Sequence, residues 1–272
     1  MSTLDANKPE LMRSRESFNG VADLYDRYRR GYPTDVLDAI GKMADIGLGS
    51  RILEIGPGTG QLTRPLLERG ASVMAVELGQ DLAAIARRNL GHFVRFEMAV
   101  LPFEDWPLPN RPFDTVISGT AFHWIDSQIR ASKSARTLRP GGMLVAIYPH
   151  QVLGDDGGFF IDSQRAYLKW GLSTDSKWRP PSEHELSAVY QDIDQCPDFA
   201  SVKRHRIRKT RRFSMDEYIG LLRTDSLILT LSEPYREGLL NDMRRCIDSY
   251  YAGTVSRTFV YEIVAATKKP SL

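Results

Sequence analysis

The stretch from Arg51 to Gly60 constrains this chain more than any other. Arg51-Ile-Leu-Glu-Ile55 is a short apolar run, and Gly56-Pro-Gly-Thr-Gly60 follows at once. Glycines directly after a strand let the backbone turn sharply and approach a ligand closely. In a parallel sheet, ligands bind just beyond the carboxyl ends of the strands. The spacing is G-x-G-x-G. A dinucleotide fingerprint, G-x-G-x-x-G, would need its third glycine where the chain has Gln61 or Thr63. Glu54, just ahead of the loop, would repel a pyrophosphate and favour a cationic group. Glu77 lies 17 residues past Gly60 and ends the next apolar run, where an acid can accept hydrogen bonds from two ribose hydroxyls.

The flanking pattern supplies the sheet. Strands are expected over Arg51–Ile55, Ser72–Glu77, 93–99, 113–118 and 143–148. Helices are expected between them over 62–69, 80–90 and 127–138, with Gly70, Gly91 and Pro140-Gly-Gly142 as stops. This alternation predicts a doubly wound α/β fold with a parallel sheet. Ahead of it, residues 1–17 read as a flexible tail and 18–50 as lid helices that break at Gly31 and Pro33, with Thr34 as a helix cap. Residues 51–149 form the ligand-binding core. Residues 150–198 read as a helical cap insertion with a loop over Gly154–Gly158 and helices over 159–170 and 183–195. Residues 199–272 complete a seven-stranded mixed sheet, with strands over 202–213 and 258–267 and cap helices over 215–222 and 233–251.

Composition narrows the function classes. Two cysteines, Cys196 and Cys246, lie far apart without C-x-x-C spacing, which argues against a disulfide framework or a zinc site. No His and carboxylate cluster has metal-ligand spacing, so no metal is expected. No run approaches the ~20 apolar residues of a membrane helix. The first residues show no apolar leader, so a cytoplasmic location is expected. A net charge of +2 does not call for nucleic acid. Nothing in the pattern bears on oligomeric state.

The glycine loop, the strand-end acid, Phe113-Asp-Thr-Val-Ile117 and Leu138-Arg-Pro-Gly-Gly-Met-Leu144 resemble the successive motifs of the class I S-adenosylmethionine-dependent methyltransferases. The resemblance is good over residues 18–148 and loose elsewhere. Phe18 to Pro33 and Ala121-Phe-His-Trp-Ile-Asp126 further resemble a small-molecule branch that includes trans-aconitate methyltransferase-like proteins. The resemblance implies a Rossmann-like fold, S-adenosylmethionine as methyl donor and S-adenosylhomocysteine as product. It implies that Glu54, Gly56, Gly58 and Gly60 surround the methionine portion, and that Glu77, with Leu78, holds the ribose. Phe103 and Glu104 would lie by the adenine, although the position that often supplies an aspartate is Pro102 here. Thr120 would face the transferred methyl group. Tyr25, Tyr28 and Arg29 would form a lid near the cofactor carboxylate, or else the core side of an amphipathic helix.

His123, after the fourth core strand, is either a general base, since imidazole titrates near neutrality, or a packed wall of the pocket. The packed role is favoured, because many methyl transfers need little beyond alignment. The chain lacks the Asn/Asp-Pro-Pro-Tyr sequence of amino-methylating enzymes that act on adenine or glutamine. Lys203 to Arg212 holds seven Lys or Arg residues. It reads as a charged edge strand ahead of a phosphate-binding strip. The expected partner is a small-molecule acceptor of oxygen, nitrogen or carbon. A nicotinamide-dependent oxidoreductase on a similar sheet and a non-catalytic cofactor-binding or RNA-associated module are the alternatives.

Overall fold

A computed structural model describes residues 17–154, 158–175 and 178–270. The expected tail lies outside the described residues except for Ser17, as do positions 155–157 of the expected Gly154–Gly158 loop.

The sheet forms where the apolar runs predict it. Its strands are β1 (Arg51–Ile55), β2 (Ser72–Glu77), β3 (Phe96–Val100), β4 (Phe113–Gly119), β5 (Leu138–Val152), β6 (Phe199–Ser214) and β7 (Thr254–Lys268). The spatial order is β3-β2-β1-β4-β5-β7-β6. Strands β1 to β5 are parallel, and β7 runs antiparallel to both β5 and β6. The doubly wound, seven-stranded mixed sheet is therefore present. Its central strands are apolar throughout because both faces are covered. One face buries Leu53, Phe113, Phe122 and Leu144, and the other buries Ile52, Leu66, Ile117 and Ile147.

Helices α1 (Ala22–Tyr28), α2 (Thr34–Met43), α3 (Thr63–Glu68), α4 (Gln80–Leu90) and α5 (Arg130–Thr137) flank the sheet. Thr34 is the first helical residue of α2 rather than its cap, which is Pro33. The helix α7 (Gln191–Gln195) packs Ile193 into the sheet's core, whereas α6 (Gly158–Lys169), α8 (Met215–Leu222), α9 (Ser226–Leu229) and α10 (Glu233–Tyr251) make up the cap. It has a core of its own, in which Phe159, Phe213, Tyr218, Leu239, Met243 and Ile247 pack together.

Two sequence expectations fail locally. The helix expected over 183–195 is broken. Ser182 and Glu185 form a capping box around a single 3-10 turn, and Arg179 grips Glu185 through two 2.9 Å bonds. Tyr190 then takes a left-handed conformation, φ 56°, before α7 begins. The helix expected to reach Leu138 ends at Thr137, because Leu138 pairs with Phe113 and opens β5.

Candidate functional site

The cavity lies at the carboxyl ends of β1, β2 and β4, under the cap, and has a volume of about 310 Å³. Gly56, Gly58, Glu77, Leu78, Phe103, Thr120, Tyr25, Arg29 and His123 all line it. Residues chosen from three separated motifs and the lid thus converge on one space.

The loop after β1 is built by left-handed glycines. Gly56 sits at φ 68°, and a Cβ there would lie 2.4 Å from Ala121 Cβ. Gly58 sits at φ 60°, and a Cβ would approach the Tyr25 ring to 3.1 Å. Glu77, only 6% exposed, fastens this loop. Its Oε2 accepts the Gly58 N–H at 3.0 Å, and its Oε1 accepts the Gly79 N–H at 2.9 Å. A carboxylate offers about four acceptor sites, so one such group can serve several donors at once. Val76, Leu78, Leu82, Leu101 and Phe103 supply an apolar wall beside it.

Four expected site residues stand outside the cavity wall. Glu54 is buried at 1% exposure with no hydrogen bond to Oε2. Burial, with the charge of Glu77 adding to it, pushes its pKa up to about 8. Burial of this kind favours the neutral form of a carboxyl group, and a nearby cation would favour the ionised one. Of the two acids at this end, Glu77 is the one that lines the cavity. Gly60 faces Leu90, whose Cδ1 would lie 2.6 Å from an added Cβ, so it serves the packing of α4. Tyr28 lies across Gly220 and ties α1 to α8. Glu104 accepts a bond from Lys133 through its carbonyl, at 2.6 Å.

The far end of the cavity was not foreseen. Tyr148, Pro149 and Gln151 reach it from β5, Asp225 and Ser226 from the start of α9, and Arg257 and Phe259 from β7. No local motif marks these positions. Phe18 and Trp124 close the near side, with ring centroids 5.8 Å apart. Thr120 holds a left-handed φ of 59°, and its hydroxyl meets the Tyr32 hydroxyl at 2.8 Å. Such backbone strain persists where the surroundings over-determine it, commonly at functional sites.

His123 is buried between Trp124 and Tyr148, and its Nδ1 has no hydrogen-bond partner. Burial, reinforced by the Arg130 guanidinium, lowers its pKa to about 3. Arg130 itself is fixed by Asp192 and by the Phe122 carbonyl. A neutral imidazole of this kind can exchange hydrogen bonds but takes up almost no proton at neutral pH.

The basic strip occupies β6, the outer strand of the sheet. Arg204 pairs with Asp194, Arg206 with Glu262, and Lys209 with Asp35. Much of its charge is thus matched by carboxylates of the same chain.

Residues 53–146 match the family model of a methyltransferase domain. A Mycobacterium tuberculosis protein described as an uncharacterized methyltransferase is 27% identical over 244 residues, covering 87% of each chain. Among solved structures, a candidate type II methyltransferase from Anaeromyxobacter dehalogenans superposes with a TM-score of 0.63 at 23% identity. It covers 90% of this chain and 100% of that one. Haemonchus contortus phosphoethanolamine N-methyltransferase 2, solved with phosphomonomethylethanolamine and S-adenosylhomocysteine, gives a TM-score of 0.53 at 17% identity, covering 92% of this chain and 57% of that one. Residues 53–146, which hold the glycine loop and the strand-end acid, thus form a methyltransferase domain of the S-adenosylmethionine-dependent kind.

Proposed function

We infer that the cavity seats S-adenosylmethionine at its β1–β2 end and a small organic acceptor at its cap end. The single observation that carries this reading is the continuity of the two ends. One space runs from the Gly58–Glu77 contact to Arg257 and Phe259. The residues fit the cofactor. Glu77 accepts the ribose hydroxyls while bracing Gly58, the Val76–Phe103 wall takes the adenine, and Arg29 faces the cofactor carboxylate. Thr224 holds the Arg29 guanidinium through bonds of 2.9 and 2.8 Å.

The cofactor supplies an electrophilic methyl group on sulfur, attacked in line by the acceptor. The chain's part is to align the acceptor and exclude water. Phe18, Tyr25 and Trp124 cover the opening, and His123 offers a neutral hydrogen-bonding edge beside it. The two free cysteines suit a reducing compartment, in keeping with a cytoplasmic setting.

Calorimetric titration tests the reading. S-adenosylhomocysteine should bind with micromolar affinity and NAD should not bind. NAD binding without S-adenosylhomocysteine binding would reverse the conclusion.

A further inference from the structure

We propose that the acceptor carries a carboxylate held by Arg257, with a flat apolar body lying against Phe259 and Tyr148. The proposal rests on the cofactor placement above, because it assigns the opposite end of the same cavity.

Arg257 is an unusual wall residue. Its guanidinium lies over the rings of Tyr218 and Phe259, at 5.5 and 5.2 Å. Its Nε is shut off from solvent and has no hydrogen-bond partner. Among the described residues it makes no ion pair. Asp225 lines the same end, but its Oδ1 is turned to the N–H groups of Leu227 and Ile228, at 3.0 and 3.4 Å. Arg257 is half-buried at the cavity wall, so a cation without a carboxylate partner meets whatever enters that end. The rings hold the cation in place at the wall of the cavity.

Charge balance points the same way. The charged side chains in the wall are Arg29, Arg257, Glu77 and Asp225, and they cancel. His123 stays neutral. S-adenosylmethionine, with an ammonium, a carboxylate and a sulfonium, adds one positive charge. A monoanionic acceptor restores neutrality in a site with little water to screen it. A single guanidinium and a single missing charge suit a carboxylate better than a dianionic phosphate. Tyr148 and Phe259, beside Trp124, leave flat apolar surface for the rest of the molecule. The carboxylate serves here as the recognition handle.

The test uses the full chain loaded with S-adenosylhomocysteine. Benzoate, cinnamate and indole-3-acetate are titrated by calorimetry, each paired with its uncharged primary amide. At least one acid should bind about tenfold or more tightly than its amide, as a charge-assisted bond implies. Arg257→Gln should bring that ratio to about one while leaving the affinity for S-adenosylhomocysteine unchanged. That unchanged affinity also shows that the variant folds. Arg257→Lys keeps the charge without the fork, and should retain part of the preference. Equal binding of every acid and amide by the native protein, or an undiminished preference in Arg257→Gln, would overturn the proposal. If the native protein failed to bind S-adenosylhomocysteine at all, the cofactor placement itself would be at fault.

Discussion

The two ends of the cavity are built from different materials. The cofactor end is mainly backbone, with Gly56 and Gly58 in left-handed conformations and one carboxylate, Glu77, bonded to two N–H groups. The acceptor end is mainly side chains, drawn from β5, α9 and β7. Backbone geometry demands particular residues at fixed spacing, so it leaves a motif. A side-chain pocket can be assembled from many residue types at remote positions, so it leaves none. A scaffold of this design can keep its donor while its acceptor site varies.

The largest effect should come from breaking the backbone end. Gly56→Val would force a Cβ onto Ala121 at a positive φ, where strain of about 1–3 kcal/mol is usual. Affinity for S-adenosylhomocysteine should fall roughly ten- to hundredfold by calorimetry. An affinity within twofold of the native value would show that the loop is not the seat.

A smaller and different effect should follow at the cap. Gly220→Leu would drive a side chain into the Tyr28 ring, 2.3 Å from its Cβ position. Overpacking of this kind costs about 1–3 kcal/mol. The melting temperature should drop by about 2–4 °C for each kcal/mol, with less loss of S-adenosylhomocysteine affinity than in Gly56→Val. A greater loss than in Gly56→Val would mean that the cap, not the loop, governs the donor.

Glu54 sharpens the comparison through pH. Its folded pKa is raised from 4.5 to about 8. The stability it contributes as a neutral group is complete below about 4.5 and is lost as pH rises through 8. Glu54→Gln removes the ionisation. Its melting temperature relative to the native protein should therefore rise between pH 6 and pH 9. A difference that shrinks over that range would place an ionised carboxylate in the native fold.

The smallest expected effect is at His123, whose pKa is lowered to about 3. In NMR titration, the imidazole signal assigned through His123→Gln should show no protonation step between pH 5 and pH 8. A step near 6.5 would restore it as a candidate base.

The sheet was legible because parallel strands covered on both faces read as apolar runs, as in Val73–Val76 and Leu144–Ile147. The same feature hid the role of Glu54, since a run without alternation does not say which face a side chain takes. Gly60 fits the glycine pattern but serves packing against Leu90, a distinction that spacing alone does not carry. The 183–195 helix was misread because its break is conformational, at Tyr190, a residue type that seldom adopts a left-handed backbone. Arg257 and Asp225 were not found because a strand arginine and a helix-capping aspartate look like ordinary surface residues until the fold brings them to the cavity.

The central claim is that Glu77 organises the donor end, both by bracing Gly58 and by meeting the cofactor. Titration of Glu77→Ala with S-adenosylhomocysteine tests it most directly. The account predicts a loss of affinity of at least about tenfold, as expected when charge-assisted bonds are removed. An affinity unchanged from the native protein would contradict it.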